Sequence, residues 1–224
     1  MCLCYKLLAV VSYLALYTVL THVDAWDVGM WGPSYSPTER PLGVIRVAEV
    51  RALARRFDPA GNERASRSRD ATLALLADSP APLSRDSFDP GHVTASAIVL
   101  SPDRIRILLV RHRKLGRWLQ PGGHLEPSDV TILGAAEREV LEETGVPVRH
   151  DPTPTIIGID VHTIPATDVE PAHRHFDLVF RFLAGSAGAP REAGAVWCPV
   201  TELDRYEPDE PLRFAVERAV GAFG

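Results

Sequence analysis

Three glutamates stand close together in the segment from Arg138 to Val146, which reads REVLEETGV. A helix places Glu139 and Glu143 on the same face because they are four residues apart, and Glu142 lies beside them. Like charges at this spacing destabilise an isolated helix by roughly 0.2–0.5 kcal/mol per pair. A divalent cation would offset that repulsion. Carboxylate oxygens are hard ligands that suit Mg²⁺ or Mn²⁺, and bound Mg²⁺ commonly contacts substrate phosphates.

Acidic runs of this kind also occur on ordinary solvated helix faces. The residues around the helix argue against that interpretation here. Gly122 and Gly123 lie upstream, where they let the backbone approach a metal or phosphate closely, and Gly145 follows the helix as a stop signal. The whole constellation therefore indicates a functional site.

The segment 122–146 resembles the signature of the Nudix hydrolases, the MutT-like diphosphohydrolases. From Arg138 to Val146 the match is complete, and the preceding WLQPGGH of residues 118–124 is also similar to the family. Two departures lie in the turn before the helix. Asp129 stands where the family has a glutamate that braces the loop against the motif arginine, and eight residues instead of seven separate it from Arg138.

The resemblance implies a role for each motif residue. Glu139, Glu142 and Glu143 would bind the metal ions, and the carbonyl of Gly123 often adds a ligand. Glu139 is a candidate base, although family members differ in which carboxylate takes the proton. Arg138 would pair with a carboxylate and orient the loop. The expected cofactor is Mg²⁺, with Mn²⁺ as an alternative.

Residues flanking the motif are candidates for substrate binding. Arg111, Arg113 and Arg117, with Lys114, form a basic cluster that could hold phosphates or be a solvated surface. The residues predicted to contact substrate are Arg111, Arg113, Arg117, His124, His175 and Asp177.

His173, His175 and Asp177 alternate along a predicted strand, so their side chains point to one face. Asp177 or Glu170 is a candidate for the extra acidic residue that the family often has outside the motif. His124 directly follows Gly123 and is placed to contact phosphate.

Composition excludes several classes of protein. The chain has 224 residues, of which 46% are hydrophobic and 24% charged, as in an ordinary globular protein with one sizeable core. A net charge of −5 argues against binding to a nucleic acid duplex. It is compatible with a phosphate ligand only where a metal and local arginine or lysine residues neutralise the phosphates, and the resemblance implies a small-molecule nucleoside diphosphate derivative as partner. Cys2, Cys4 and Cys198 show no zinc spacing, and Cys198 is expected to be a small buried residue.

Residues 1–40 form an apolar and irregular N-terminal segment with three open interpretations. The apolar stretch 7–23 is typical of a signal peptide or a short membrane anchor. The segment is alternatively a product of an upstream start codon and no part of the native domain. The third interpretation is favoured because the resembling family is mostly intracellular, and it predicts a cytoplasmic protein without membrane association. The other two predict a secreted or anchored protein.

The remaining chain divides into a helical preface, residues 41–87, and a catalytic domain, residues 88–224. Helices are predicted over residues 44–57, 60–77, 131–144 and 211–223, with Thr131 as the N-terminal cap of the third, and strands over residues 93–100, 105–112, 155–163, 176–183 and 195–200. Residues 113–130 are predicted to form a glycine-containing loop. This order predicts an α/β fold with a mixed sheet between helices. The resemblance implies the Nudix α/β/α sandwich for about residues 88–224. The small helical segment before it, predicted from the sequence pattern, could mediate homodimerisation.

The leading hypothesis is a Mg²⁺-dependent pyrophosphohydrolase. It would cleave the diphosphate bond of a nucleoside diphosphate linked to another moiety, releasing a nucleoside monophosphate and a phosphorylated remainder. ADP-ribose, dinucleotide polyphosphates, nucleotide sugars and damaged nucleoside triphosphates all stay open as substrates.

Two alternatives use the same fold. A nucleotide-binding regulatory sensor without catalysis is disfavoured, since a pure binder need not keep three repelling glutamates. An isomerase of prenyl diphosphates would need a reactive cysteine and further metal ligands, and Cys198 fits that role poorly.

Overall fold

A computed structural model describes residues 45–112, 116–149, 155–186, 188–192 and 194–221. The N-terminal segment 1–40, Arg113 and Lys114 lie outside these residues. Within the described ranges, no helix has the length and apolar character needed to cross a membrane.

The described residues contain four α-helices, eight strands and one 3₁₀-helix. In chain order these are α1 (Val47–Arg56), α2 (Glu63–Asp78), β1 (Gly91–Leu100), β2 (Arg106–His112), β3 (Arg117–Leu119), β4 (Gly122–His124), α3 (Ile132–Thr144), β5 (Val148–Arg149), β6 (Ile156–Ile164), β7 (His173–Ala184), β8 (Ala195–Pro199), the 3₁₀-helix (Val200–Tyr206) and α4 (Glu210–Gly221).

All eight strands belong to one mixed sheet that is organised around β1. Along one edge, β1 pairs in parallel with β7 over its whole length. Its other edge is shared by two antiparallel strands, β4 at residues 94–96 and β2 at Leu100. Strands β5 and β6 extend the sheet beyond β7, whereas β3 and β8 pair with β2. The predicted mixed α/β sheet is confirmed.

Two hydrophobic cores cover the two faces of this sheet. Helices α1, α2 and α3 contribute to the first core, and α4 and the 3₁₀-helix contribute to the second. Strand β1 is buried throughout because its side chains alternate between the two cores. This arrangement is the predicted helix–sheet–helix sandwich.

One half of β1 breaks the apolar pattern on the face of the second core. Ile98 and Leu100 lie in that core, but His92, Thr94 and Ser96, which precede them at the same alternation, are polar and buried. Burial of a polar group costs free energy unless the group forms hydrogen bonds. Three buried polar side chains in a row therefore indicate a functional site on this half of the face.

The prediction of residues 113–130 as a loop is wrong in part, because the segment contains β3 and β4. Strands of three residues carry no alternation, and the two glycines of β4 oppose strand formation. Strand β4 exists because it pairs with β1. The sequence also missed β5 and the 3₁₀-helix. Strand β7 begins at His173, so it includes the predicted alternation of His173, His175 and Asp177 and starts three residues before the predicted range 176–183.

Candidate active site

The helix that carries the three glutamates, α3, is capped at both ends as predicted. The hydroxyl of Thr131 accepts a hydrogen bond of 2.9 Å from the amide of Gly134, which satisfies one of the free amides of the first turn. Gly145 ends the helix in the left-handed conformation, with φ of 67°, which glycine adopts without steric cost. The caps fix where the acidic face begins and ends.

Arg138 joins this helix to the turn before it. Its Nε and Nη2 donate hydrogen bonds of 3.0 Å to the two carboxylate oxygens of Asp129, and Nη2 also donates to the carbonyl of His124 at 2.9 Å. Its Nη1 donates to Glu139 at 2.9 Å and to Glu142 at 3.1 Å. The pKa of Arg138 is raised, chiefly by the hydrogen bonds to Asp129, so the guanidinium stays charged.

Asp129 therefore holds the bracing position that the family gives to glutamate. It is buried, and its carboxylate also accepts a hydrogen bond of 2.8 Å from the amide of Glu126. Aspartate is one methylene shorter than glutamate, and the one extra residue of this turn accompanies the shorter side chain. The departures from the family pattern leave the brace in place.

Two glutamates of the helix meet the backbone of β4. The amide of Gly122 donates a hydrogen bond of 3.0 Å to the carboxylate of Glu143. A Cβ atom on Gly123 would lie 2.8 Å from the carboxylate carbon of Glu139, which is closer than van der Waals contact allows. A side chain at Gly123 would therefore displace the Glu139 carboxylate from its present position.

Burial raises the pKa of both these carboxyls. The neighbouring carboxylates add to the shift at each position, and Arg138 opposes it at Glu139. Desolvation and mutual repulsion therefore destabilise the charged forms of Glu139 and Glu143. A hard divalent cation relieves both effects, so the donor set of Glu139, Glu142, Glu143 and the Gly123 carbonyl fits Mg²⁺ or Mn²⁺.

Residues 90–218, more than half of the chain, match the family model described as NUDIX domain. The chain belongs to the Nudix family. Phosphatase NudJ of Escherichia coli strain K12 is 39% identical over 59 residues, which are 26% of this chain and 37% of the relative. The chain thus spans little more than a third of the length of the curated relatives that it matches.

Solved Nudix structures also align with the chain. A NUDIX-family hydrolase from Clostridium perfringens has a TM-score of 0.46 and 24% identity, and the alignment covers 63% of this chain and 100% of that one. The NUDIX domain of Shewanella oneidensis NrtR, crystallised with ADP ribose, has a TM-score of 0.44 and 17% identity over 67% of this chain and 97% of that one.

Arg111 and Arg117, two of the basic residues predicted to bind substrate, lie on the paired strands β2 and β3. The guanidinium of Arg111 lies 5.6 Å from the ring centre of Trp118, and Arg117 forms an ion pair of 3.2 Å with Asp209. Glu139, Glu142 and Glu143 are called the Nudix carboxylates below. Within the described residues, their hydrogen bonds involve neither Arg111 nor Arg117. Arg113 lies outside the described residues, and a phosphate-binding role for this group stays a prediction.

The two histidines predicted to contact substrate are brought together, and two more join them. The rings of His124 and His175 lie 4.9 Å apart, and the ring of His92 lies 5.1 Å and 4.9 Å from them. His173 stacks on His92 at 5.1 Å. We refer to His92, His124, His173 and His175 as the histidine cluster.

Sequence reasoning missed His92 in this cluster. Its position on β1 could have been found from the alternation that it shares with Thr94 and Ser96. The proximity of His92 to His175 could not have been found in this way, because it requires the pairing of β1 with β7.

Burial lowers the pKa of three imidazoles of the cluster, those of His92, His124 and His175. It lowers the pKa of His124 to about 4 and that of His175 to about 2, and the neighbouring imidazoles add to both shifts. Both rings are therefore neutral at pH 7, and each has one nitrogen with a free electron pair.

Asp177, the acidic residue predicted to approach the metals or substrate, is buried on the sheet face that also carries Thr94 and Ser96. It accepts hydrogen bonds from the hydroxyls of Thr94 at 3.0 Å and Ser96 at 2.5 Å. Burial raises the pKa of its carboxyl despite these donors. Glu170, the alternative, lies in the loop between β6 and β7, where its amide contacts the hydroxyl of Thr167.

Proposed function

We propose that the protein hydrolyses the diphosphate bond of a nucleoside diphosphate linked to another moiety, releasing a nucleoside monophosphate and a phosphorylated remainder. The observation that carries this proposal is the approach of Glu139 and Glu143 to the backbone of β4 while Asp129 anchors Arg138. Glu139, Glu142, Glu143 and the carbonyl of Gly123 would hold Mg²⁺ or Mn²⁺.

When bound, the cation supplies charge neutralisation on the diphosphate oxygens and a lower pKa for a coordinated water. Glu139 is the proposed base, since a carboxyl with a raised pKa takes a proton more readily at neutral pH. Arg138 holds Glu139 and Glu142 in place through its Nη1 hydrogen bonds. Arg111 and Arg117 are the described candidates for contact with the rest of the substrate, and the contacts predicted for His124, His175 and Asp177 stay predictions.

The first test is hydrolysis by the full chain with Mg²⁺ and a panel of nucleoside diphosphate derivatives, with the products identified by mass. The panel contains ADP-ribose, a dinucleotide polyphosphate, a nucleotide sugar and an oxidised nucleoside triphosphate. We expect release of a nucleoside monophosphate that stops when a chelator removes the metal.

Two variants locate the activity. Glu143→Gln should abolish metal-dependent turnover, and Glu139→Gln should lower kcat by about 10²–10⁴-fold, the usual contribution of an acid–base group. Both variants keep the shape of the side chain, so circular dichroism should show an unchanged fold. Glu137→Gln, on the same helix but outside the Nudix carboxylates, is the matched control and should keep its activity.

Near-normal turnover in both variants would show that the active site has been placed wrongly. Tight binding of a panel member without turnover would favour the regulatory sensor. Turnover of a prenyl diphosphate in place of the panel would favour the isomerase.

A further inference from the structure

The histidine cluster brings imidazoles from three strands to one place. His92 lies on β1, His124 on β4, and His173 and His175 on β7. The pairing of β1 with β7 sets His92 opposite His175, and the pairing with β4 sets Thr94, two residues along, opposite His124. One ring nitrogen from each of His92, His124 and His175 lies within 4.8 Å of the other two.

Backbone carbonyls fix the tautomers of two of these rings. The Nδ1 of His92 lies 3.0 Å from the carbonyl oxygen of Ser87, and the Nδ1 of His173 lies 2.8 Å from that of Pro171. A carbonyl only accepts, so each Nδ1 carries the proton and each Nε2 carries a free electron pair. Ligating histidines typically have this arrangement, in which the second nitrogen donates to a backbone carbonyl.

The free nitrogen of His92 has no partner among the described residues. Its Nε2 is fully buried and makes no hydrogen bond. Buried polar atoms almost always have a hydrogen-bond partner. An unpartnered electron pair that lies beside two further imidazoles therefore indicates a binding position for an electron-pair acceptor. Phe88 packs edge-on against both His92 and His173, which keeps apolar surface on that side of the cluster.

We propose that His92, His124 and His175 bind a divalent transition-metal ion such as Zn²⁺, with His173 completing the ligand set. Imidazole nitrogen suits Zn²⁺, whereas Mg²⁺ prefers oxygen, so this site selects a different metal from the Nudix carboxylates. Tetrahedral Zn²⁺ with Zn–N distances near 2.0–2.1 Å places its ligand atoms about 3.3–3.4 Å apart. The Nε2 atoms of His173 and His175 are 3.3 Å apart and share a hydrogen bond, which metal binding through both nitrogens would replace.

The bound ion would tie β4 to β1 and β7 from the side opposite to the motif helix. His124 is the last residue of β4, directly after Gly122 and Gly123, and its carbonyl accepts a hydrogen bond from Arg138. The ion would therefore hold the strand against which the Nudix carboxylates rest. This role is positional and does not depend on the proposed hydrolysis.

Metal binding tests the proposal directly. The full chain would carry Cys2→Ser, Cys4→Ser and Glu143→Gln, which remove the N-terminal thiols and weaken the carboxylate site. The metal-stripped protein is titrated with Zn²⁺ by calorimetry in excess Mg²⁺, and with Co²⁺ by visible absorption. We expect one tightly bound ion per chain and the Co²⁺ spectrum of a tetrahedral, nitrogen-ligated site.

Variants of the cluster identify the ligands. His175→Gln and His92→Gln should each weaken Zn²⁺ binding by at least about 10-fold, since even an outer-shell partner contributes about 10–100-fold. His112→Gln, an exposed histidine of β2 outside the cluster, is the matched control and should bind Zn²⁺ as the parent does.

Failure of the folded parent protein to bind Zn²⁺ or Co²⁺ would overturn the proposal, and so would binding that both cluster variants leave unchanged. Because His92 is buried, circular dichroism must show that its variant folds, and the half-buried His175 supplies the deciding variant if it does not. None of these measurements uses hydrolysis, so their outcome is separate from that of the proposed function.

Discussion

At the scale of single residues, Arg138 connects the motif helix to the turn before it. Asp129 accepts two of its hydrogen bonds and is 7% exposed, while the Arg138 side chain is 18% exposed. A pair this deeply buried gains from its geometry but leaves a stranded charge when one partner is lost. Asp129 is therefore expected to matter for stability as well as for the position of Glu139.

Asp129→Ala should lower the free energy of unfolding by roughly 3 kcal/mol, the lower end of the range for breaking a buried pair. The lower end applies because Arg138 keeps Glu139 and Glu142 as partners. Equilibrium unfolding in urea measures the change. Glu202→Ala, which breaks an exposed pair with Arg205, is the control and should cost about 0–1 kcal/mol. Equal losses in the two variants would contradict the bracing role.

At the scale of elements, β4 lies between β1 and α3 and is held from both sides. Gly122 faces Ser96 of β1 so closely that a Cβ atom would overlap the Ser96 side chain and backbone. Gly123 faces the carboxylate of Glu139 instead, which is the end of a flexible side chain. The space at Gly122 is therefore limited by the neighbouring strand, and the space at Gly123 is limited by a carboxylate of the candidate site.

Alanine at the two positions should separate these constraints. Gly122→Ala should lower the free energy of unfolding by about 1–3 kcal/mol, as overpacking of a close-packed region does. Gly123→Ala should change stability less, because the Glu139 carboxylate can move, but it should weaken metal-dependent turnover. Thermal unfolding and the hydrolysis assay, run on both variants, check this. A stable, fully active Gly123→Ala protein would show that Glu139 does not need its present position.

At the scale of the whole molecule, the motif helix α3 packs on one face of the sheet, against β1, β4 and β5. The first helix of the described residues begins at Val47, and the family match covers residues 90–218. Helix α2 is tied to β6 by the hydrogen bonds of Arg64 to Asp160 at 2.9 and 3.0 Å. The helices before the Nudix domain are thus packed on the sheet that carries the site.

Deletion of residues 1–40 should leave turnover unchanged, as the interpretation of this segment as non-native requires. Hydrolysis by the shortened and full chains at equal concentration measures this, with circular dichroism as the check on folding. An insoluble or inactive product would show that the segment belongs to the working protein. Deletion of residues 1–80, which also removes α1 and α2, is the control and should destabilise the domain because Arg64 is lost from the sheet.

Local interactions explain why much of the site could be predicted from the sequence. The carboxylate spacing, the Thr131 cap and the Gly145 stop involve residues within four positions of one another, so helical geometry alone specifies them. The main helices and long strands were found for the same reason, because their apolar residues repeat at the period of the element.

Only the tertiary structure decided the rest. Strand β4 has too few residues for a periodic signal and exists through its pairing with β1. The histidine cluster depends on β1 lying parallel to β7, which sets His92 opposite His175, and no local pattern encodes that register. The sequence by itself determined the acidic helix, because its contacts are local, and the fold alone decided which distant residues gather beside it.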